Sequence, residues 1–150
     1  MTHLKVNDKA PDFEAKDQNG NVVKLSDYSG QKLILYFYPA DNTPTCTTEA
    51  CNFRDNYRHL VKNGYEIIGV SPDSERKHQN FIKKFELPFT LISDPDLVVA
   101  KAYGVWGPKK FMGKISDSIH RETFLINENG VIEKIIEKVV SKKATEQVLE

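Results

Sequence analysis

The stretch Lys32-Leu33-Ile34-Leu35-Tyr36-Phe37-Tyr38-Pro39-Ala40-Asp41-Asn42-Thr43-Pro44-Thr45-Cys46 decides how the rest of the chain is read. After Lys32 it is apolar without interruption as far as Tyr38, and it stops at Pro39. A short apolar run of this kind is a strand covered on both faces, the pattern found at the centre of a sheet with helices above and below. Beyond the turn, apolar residues recur at 46, 50, 53, 57, 60 and 61, which is helical spacing, and Gly64 is placed to end that helix. The segment therefore reads strand, loop, helix, with a cysteine in the first helical turn.

Downstream, Tyr65 to Ser71 repeats the buried-strand pattern and closes at Pro72. Ser74 is positioned to cap a helix running through Phe85, with Phe81, Ile82 and Phe85 on one side. Phe89 to Ile92 reads as a short strand and 96–103 as a short helix ending at Gly104. The Gly/Pro/Lys-rich segment 104–119 reads as loop. Strands at 122–126 and 131–140 are joined by Glu128-Asn129-Gly130, and a final helix begins at Lys143. Upstream, Asn19-Gly20 separates Pro11–Ala15 from Asn21–Leu25 and signals a hairpin; Ser26 to Gly30 reads as a helical turn or loop. The order is hairpin, β-α-β-α-β-α, hairpin, helix. Right-handed crossovers make the central strands parallel and put helices on both faces. That order fits a thioredoxin-like α/β fold with an N-terminal β-hairpin extension and a central mixed sheet flanked by helices. Residues 1–150 are expected to form a single domain.

Composition bounds the function. With 21 Lys+Arg against 21 Asp+Glu, the formal net charge is +0, so the surplus of cations on which phosphate binding rests is missing. Neither a nucleic acid nor an anionic membrane is an expected partner. A hydrophobic fraction of 39% argues for a packed core, of a size that buries roughly 70% of the unfolded chain's surface. The longest apolar run, Leu33 to Tyr38, falls far short of the ~18 residues of a membrane span. The first eight residues contain no apolar export region, so a cytoplasmic address is expected.

The two cysteines are Cys46 and Cys51. In a reducing compartment such a pair is redox-active, metal-binding or incidental. At the start of a helix, unpaired N–H groups and the positive end of the helix dipole stabilise a thiolate, the reactive form of cysteine. On an ideal helix two residues five apart have Cα atoms about 8.7 Å apart, whereas a disulfide needs roughly 4.4–6.8 Å. Either the two sulfurs never join, or oxidation unwinds the first turns of the helix.

Pro39, Thr43 and Cys46 form P-x-x-x-T-x-x-C, which resembles the active-site signature of the peroxiredoxins. The longer string from Asp41 through Cys46-Thr47-Thr48-Glu49-Ala50-Cys51 to Asp55 is similar to the peroxiredoxin Q, or bacterioferritin comigratory protein, type. The likeness extends over essentially the whole chain, through Ala10-Pro11-Asp12-Phe13, Gly69-Val70-Ser71-Pro72-Asp73, Ser93-Asp94-Pro95, Tyr103-Gly104-Val105 and Arg121-Glu122-Thr123-Phe124-Leu125-Ile126. The resemblance implies a peroxidatic role for Cys46, which attacks the terminal oxygen of a hydroperoxide and becomes a sulfenic acid. It implies that Thr43 hydrogen-bonds the peroxide and the thiolate. Arg121 would arrive from a distant strand to favour the thiolate and hold substrate oxygens, and Pro39 would shield the sulfur. Cys51 would be the resolving cysteine, giving an intramolecular disulfide that thioredoxin or a similar dithiol reduces. The family usually has glycine directly before the reactive cysteine; Thr45 stands there, and an altered substrate preference is expected. The segment from Gly113 to His120 is the other poor match.

Plainer readings stand beside these. Cys46 alone could be a small buried hydrophobe at a helix start, and Cys51 an inert helix residue. Arg121 could pair with Glu122 or Glu133 at the surface. Glu49 is either a solvated first-turn acid or part of a network aligning Arg121. A metal site would need two further ligands; His59 lies two helical turns beyond Cys51, but His3, His78 and His120 show no ligand spacing. No cofactor is implied. Trp106 and the aromatic residues of 36–38, 53 and 124 read as core. The leading expectation is a thioredoxin-dependent, atypical 2-Cys thiol peroxidase acting on hydrogen peroxide and organic hydroperoxides. It is expected as a monomer, because the second cysteine lies within the same chain. The competing expectations are a thioredoxin-like disulfide reductase, disfavoured by the lack of C-x-x-C, and a non-enzymatic redox-sensing or chaperone-like module.

Overall fold

Strand β3 (Lys32–Phe37) lies near the middle of a seven-stranded sheet in the computed structural model, which describes residues 1–150. Alternate residues of β3 serve two different cores. Leu33, Leu35 and Phe37 point into one buried cluster, with Ile68, Val70, Ile92 and Phe124. Ile34, Tyr36 and Tyr38 point into the other, with Ile67, Phe53, Leu60 and Phe81. This two-sided burial is the physical reason the sequence shows no polar alternation there.

The remaining strands are β1 (Glu14–Asp17), β2 (Val22–Lys24), β4 (Tyr65–Ser71), β5 (Thr90–Ser93), β6 (Trp106–Phe111), β7 (Lys114–Ile119), β8 (Glu122–Ile126) and β9 (Ile132–Ile136). The large sheet runs β2-β1-β5-β4-β3-β8-β9. Its centre, β5-β4-β3, is parallel, whereas β8 joins β3 antiparallel and β9 follows antiparallel. The N-terminal hairpin adds to the same sheet, because β1 pairs antiparallel with β5. Five α-helices complete the fold: α1 (Pro44–Asp55), α2 (Tyr57–Lys62), α3 (Glu75–Phe85), α4 (Val98–Ala102) and α5 (Ala144–Leu149). Residues of α1, α2, α3 and α5 fill the core cluster on one face of the sheet, and Val99 and Ala100 of α4 enter the cluster on the other. The mixed, helix-flanked thioredoxin-like sheet is as expected. No helix is long and apolar enough to cross a membrane.

Several local readings need correction. The segment 104–119 is not loop: β6 and β7 form a separate two-stranded hairpin, turned at Met112 (φ 51°) and Gly113 (φ 81°). Most of its residues are exposed, so no buried face imposed an alternating pattern on the sequence. The helix expected to run from Cys46 to Gly64 is broken at Asn56, whose side-chain amide donates to the Asn52 carbonyl at 2.8 Å. Such a side chain competes with the backbone for hydrogen bonds. The helix expected over 96–103 is shorter, because Leu97 is left-handed (φ 62°) and the Asp94 carboxylate accepts the Val99 and Ala100 N–H groups. The strand expected over 131–140 ends at Ile136, and the last helix follows a 3-10 turn at Ser141–Lys143. The cap at Ser74 is present, its hydroxyl accepting from Lys77 N at 3.2 Å. Such a cap contributes about 1 kcal/mol.

Candidate active site

The chain leaves the central sheet at Tyr38 and turns through 39–43. It enters α1 with Thr43 as N-cap and Pro44 in the first turn, where a missing N–H costs the helix nothing. Cys46 is thus the third helical residue, and its side chain is buried between α1 and the sheet with Ala50, Phe53, Ala144 and Val148. Strand pairing brings the second component. The register of β3 with β8 sets Phe37 opposite Glu122, so Arg121, one residue earlier on β8's approach, arrives beside the exit of β3. Its guanidinium reaches across 75 positions of sequence to donate from Nη2 to Cys46 Sγ at 3.1 Å. The neighbouring Nη1 donates to Glu49 Oε1 at 2.8 Å. One planar fork therefore ties the sulfur to a carboxylate one helical turn further along α1.

Glu49 is fully buried, which rules out the solvated first-turn acid and leaves the Arg121 network. Burial pushes its carboxyl up to about 7, and the Arg121 charge and hydrogen bond hold that rise back. For Arg121, burial opposes the charge, but the Glu49 carboxylate and the contact with Cys46 outweigh it and raise its pKa above the ordinary value. Arg121 forms no ion pair with Glu122 or Glu133; its salt bridge is to Glu49. This arrangement presents a sulfur with a fixed cation at one side and the positive end of a helix beneath it.

Thr43 stands at the mouth of the site, exposed, with its hydroxyl donating to Ala40 O at 3.2 Å rather than to the sulfur. Pro39 is half-buried in the same turn. Thr45 is exposed and, with Pro44, Thr48, Val139, Val140, Ser141 and Lys142, lines an open cleft of about 400 Å³. Arg121 borders a second cleft of about 470 Å³, with Lys109, His120, Lys138 and Val139. Cys51 is partly buried five residues beyond Cys46 on the same unbroken helix, and both thiols are free. His120 accepts a structural task, its Nε2 meeting Pro108 O at 3.0 Å across the hairpin.

Comparison with known proteins places this geometry. Residues 6–135 match the family model described as the AhpC/TSA family. The chain belongs to this family. Within it, a putative peroxiredoxin bcp of Haemophilus influenzae is 46% identical over 150 residues, covering 100% of this chain and 97% of that protein. Peroxiredoxin Bcp of Bacillus subtilis is 46% identical over 147 residues, 98% of this chain and 94% of that one. Among solved structures, a peroxiredoxin Q mutant from Xylella fastidiosa superposes with a TM-score of 0.92 at 32% identity, covering 99% and 95% of the two chains. Peroxiredoxin Q from Xanthomonas campestris superposes at 0.88 and 34%, covering 99% and 94%. The chain is thus an AhpC/TSA family member of the Bcp/peroxiredoxin Q type.

Reading the sequence alone missed two parts of this family member's site. Asn52, the residue after Cys51, bridges α1 to the C-terminal segment: its amide donates to Lys142 O at 2.9 Å, and its oxygen accepts Thr145 N at 2.9 Å. Behind the 39–43 turn, Tyr38, Asp41, Asp73 and His78 form a buried polar chain. Nothing local signals either one, since each joins segments that are distant in sequence.

Proposed function

We propose that this chain is a thiol-dependent peroxidase in which Cys46 is the peroxidatic residue and Cys51 the resolving one. The observation that carries the reading is the Arg121 Nη2 contact with Cys46 Sγ at the N-terminal turn of α1. The Cys46 thiolate attacks the terminal oxygen of a hydroperoxide; the O–O bond breaks, the sulfur becomes a sulfenic acid, and the departing alkoxide or hydroxide takes a proton to leave as alcohol or water. Negative charge moves from sulfur to the leaving oxygen during this step. Donors fixed around that path, the Arg121 fork and the Thr43 hydroxyl once turned from Ala40 O, favour the transition state over the ground state. Pro39 and the turn it begins keep bulk water from the sulfur, and Thr45 borders the approach.

In the second step the Cys51 thiol gives up its proton and its sulfur attacks the sulfenic sulfur; the S–O bond breaks, hydroxide leaves with that proton as water, and a disulfide forms. The cysteines share one intact helix, on which the Cα separation of about 8.7 Å exceeds the disulfide range. The first turns of α1 must therefore unwind. A dithiol protein of the thioredoxin type then reduces the disulfide by exchange, returning two thiols. Because both cysteines lie on one helix, a monomer suffices for the cycle, and a cytoplasmic setting suits a dithiol reductant. A bacterioferritin comigratory protein from Xanthomonas campestris, whose solved structure is similar to this chain, is described with alkyl peroxide reduction activity, which supports including organic hydroperoxides among the substrates here.

The test is NADPH consumption in a coupled thioredoxin/thioredoxin reductase assay with hydrogen peroxide and an alkyl hydroperoxide. Cys46→Ser is expected to abolish turnover, and Cys51→Ser to complete one reaction and stall as the sulfenic acid. Undiminished steady-state turnover by Cys46→Ser would overturn the reading. Peroxide-independent reduction of insulin disulfides, without peroxide turnover, would replace it with the reductase alternative.

A further inference from the structure

His78 on α3 is completely buried, yet none of the chemistry above uses it. Its Nδ1 lies 2.7 Å from Asp41 Oδ2, and its Nε2 lies 2.9 Å from Ile92 O. A backbone carbonyl only accepts hydrogen bonds, so Nε2 must carry a proton. The 2.7 Å contact between Nδ1 and a carboxylate oxygen needs a proton between them as well. The Asp41 carboxylate is otherwise satisfied as an acceptor, since Tyr38 donates its hydroxyl to Oδ1 at 2.6 Å. Burial raises the Tyr38 phenol well above its ordinary pKa, as does the nearby Asp41 charge, so it stays protonated and keeps that role. With the shared proton on the imidazole, ordinarily the more basic of the two partners, the pair is an imidazolium facing a carboxylate.

A metal reading of the same cluster fails on this geometry. Asp41, Asp73 and His78 do bring ligand atoms within 4.8 Å of one another. Both imidazole nitrogens, however, face protein acceptors and have no lone pair free for an ion.

The pair sits directly behind the reactive turn. Asp41 is held at its main chain too, its N–H donating to Asp73 Oδ2 at 2.7 Å, and Ser71 donates to that same carboxylate oxygen at 2.8 Å. The other charge close to Asp73 is Lys77, 3.9 Å away and largely exposed. The next residue, Asn42, is left-handed (φ 59°), a conformation that asparagine tolerates better than most residues. Thr43 then caps α1 in extended conformation. Fixing Asp41 at both main chain and side chain therefore fixes the middle of this turn, and with it the two residues on either side, Pro39 and Thr43, that flank the path to the sulfur.

We propose that the Asp41–His78 ion pair is a positioning device for peroxide reduction: it struts the 39–43 turn from behind so that the Thr43 hydroxyl can reach the peroxide. The inference rests on the peroxidase reading and adds residues that touch neither sulfur nor substrate.

Charge and hydrogen bonding separate cleanly at position 41. In Asp41→Asn, the side-chain amide donates to a neutral Nδ1, Nε2–H still donates to Ile92 O, and Tyr38 still finds an oxygen. The strut survives without its charges. In Asp41→Ala it is gone, and in His78→Leu only bulk remains. The measurement is the second-order rate of Cys46 oxidation by hydrogen peroxide, set beside its alkylation by iodoacetamide, which needs no donor from the turn. Asp41→Ala and His78→Leu are expected to lose about tenfold against peroxide while alkylation stays within twofold. Asp41→Asn is expected to recover to within threefold of the wild type. Nitrogen-15 shifts of the His78 ring should show both nitrogens protonated in the wild type and only Nε2 protonated in Asp41→Asn.

Full peroxide reactivity in folded Asp41→Ala, parallel loss of both reactivities, or an Asp41→Asn variant as slow as Asp41→Ala would each overturn the strut, and a neutral wild-type ring would overturn its description as an ion pair. Should His78→Leu fail to fold, the two Asp41 variants and the ring shifts still decide. A failure of the peroxidase reading itself would show differently, as peroxide turnover that survives Cys46→Ser.

Discussion

Arg121 touches two groups at once, Cys46 Sγ at 3.1 Å and Glu49 Oε1 at 2.8 Å, and only a planar fork with separate donors does both. A lysine has one nitrogen at the end of a flexible stem. Arg121→Lys is expected to keep a positive charge near the site yet lose about 100-fold in kcat/KM for hydrogen peroxide, a loss typical of removing one aligned donor from developing charge. Steady-state kinetics in the coupled assay check it. Glu49 belongs to the same scale. Its folded-state pKa, raised to about 7, exceeds the ordinary value of 4.5, so between those limits the folded protein binds a proton that the unfolded chain has released. Stability must then fall as pH rises from about 4.5 to about 7, and level off above. Glu49→Gln removes this slope. Urea unfolding at pH 5 and pH 7.5 should show the wild type losing more stability across the interval than the variant does.

At the scale of elements, α1 has two conflicting tasks. Its intact first turn presents Cys46 at the positive helix end, but the same turn must open for Cys51 to reach the sulfur. Its anchoring decides how readily it opens. Asn52 ties the helix to the C-terminal segment through Lys142 O and Thr145 N, beside packing of Cys46, Ala50 and Phe53 against Ala144 and Val148. Losing both hydrogen bonds in Asn52→Ala is expected to destabilise the reduced protein by about 1–3 kcal/mol. It should also speed Cys46–Cys51 disulfide formation after one equivalent of peroxide. Quenched-flow sampling with non-reducing peptide mapping measures that rate, and an unchanged rate would show that this anchor does not govern the opening. Element boundaries show the limits of pattern reading here. Periodicity carried the helix straight through Asn56, since an apolar stripe at helical spacing cannot register a side chain that bonds back to the Asn52 carbonyl.

Across the whole molecule, the central sheet is packed from both sides with little spare room. Gly69 in β4 shows it: a Cβ there would come within 2.7 Å of Leu91 Cδ2 and 2.9 Å of the Tyr36 ring. Gly69→Ala is expected to cost about 1–3 kcal/mol through overpacking, read as a lower urea midpoint with unchanged slope. Tyr36 is doubly constrained, because its ring also packs on Tyr38, Phe53 and Phe89. A shift in that ring would reach the strand whose end launches the reactive turn, so Gly69→Ala serves as a check on how far the core couples to the site.

Local physics accounts for the part of the fold that is legible in neighbouring residues. The unbroken apolar run from Leu33 to Tyr38 specified a strand buried on both faces, the spacing after Pro44 specified a helix, and together they placed Cys46 in its first turn. Turn signals at Gly20 and Gly130 (φ 79° and 76°) marked two of the three hairpins, since those backbone angles favour glycine. The tertiary structure alone decided the partners. Arg121 meets Cys46 because β8 pairs with β3 in a particular register, and Glu49 becomes a buried network member because that arginine arrives above it. His78 braces Asp41 because α3 packs behind the 39–43 turn. Contacts between residues dozens of positions apart depend on which strands become neighbours, and that choice is made by burial of the whole sheet rather than by any window of sequence.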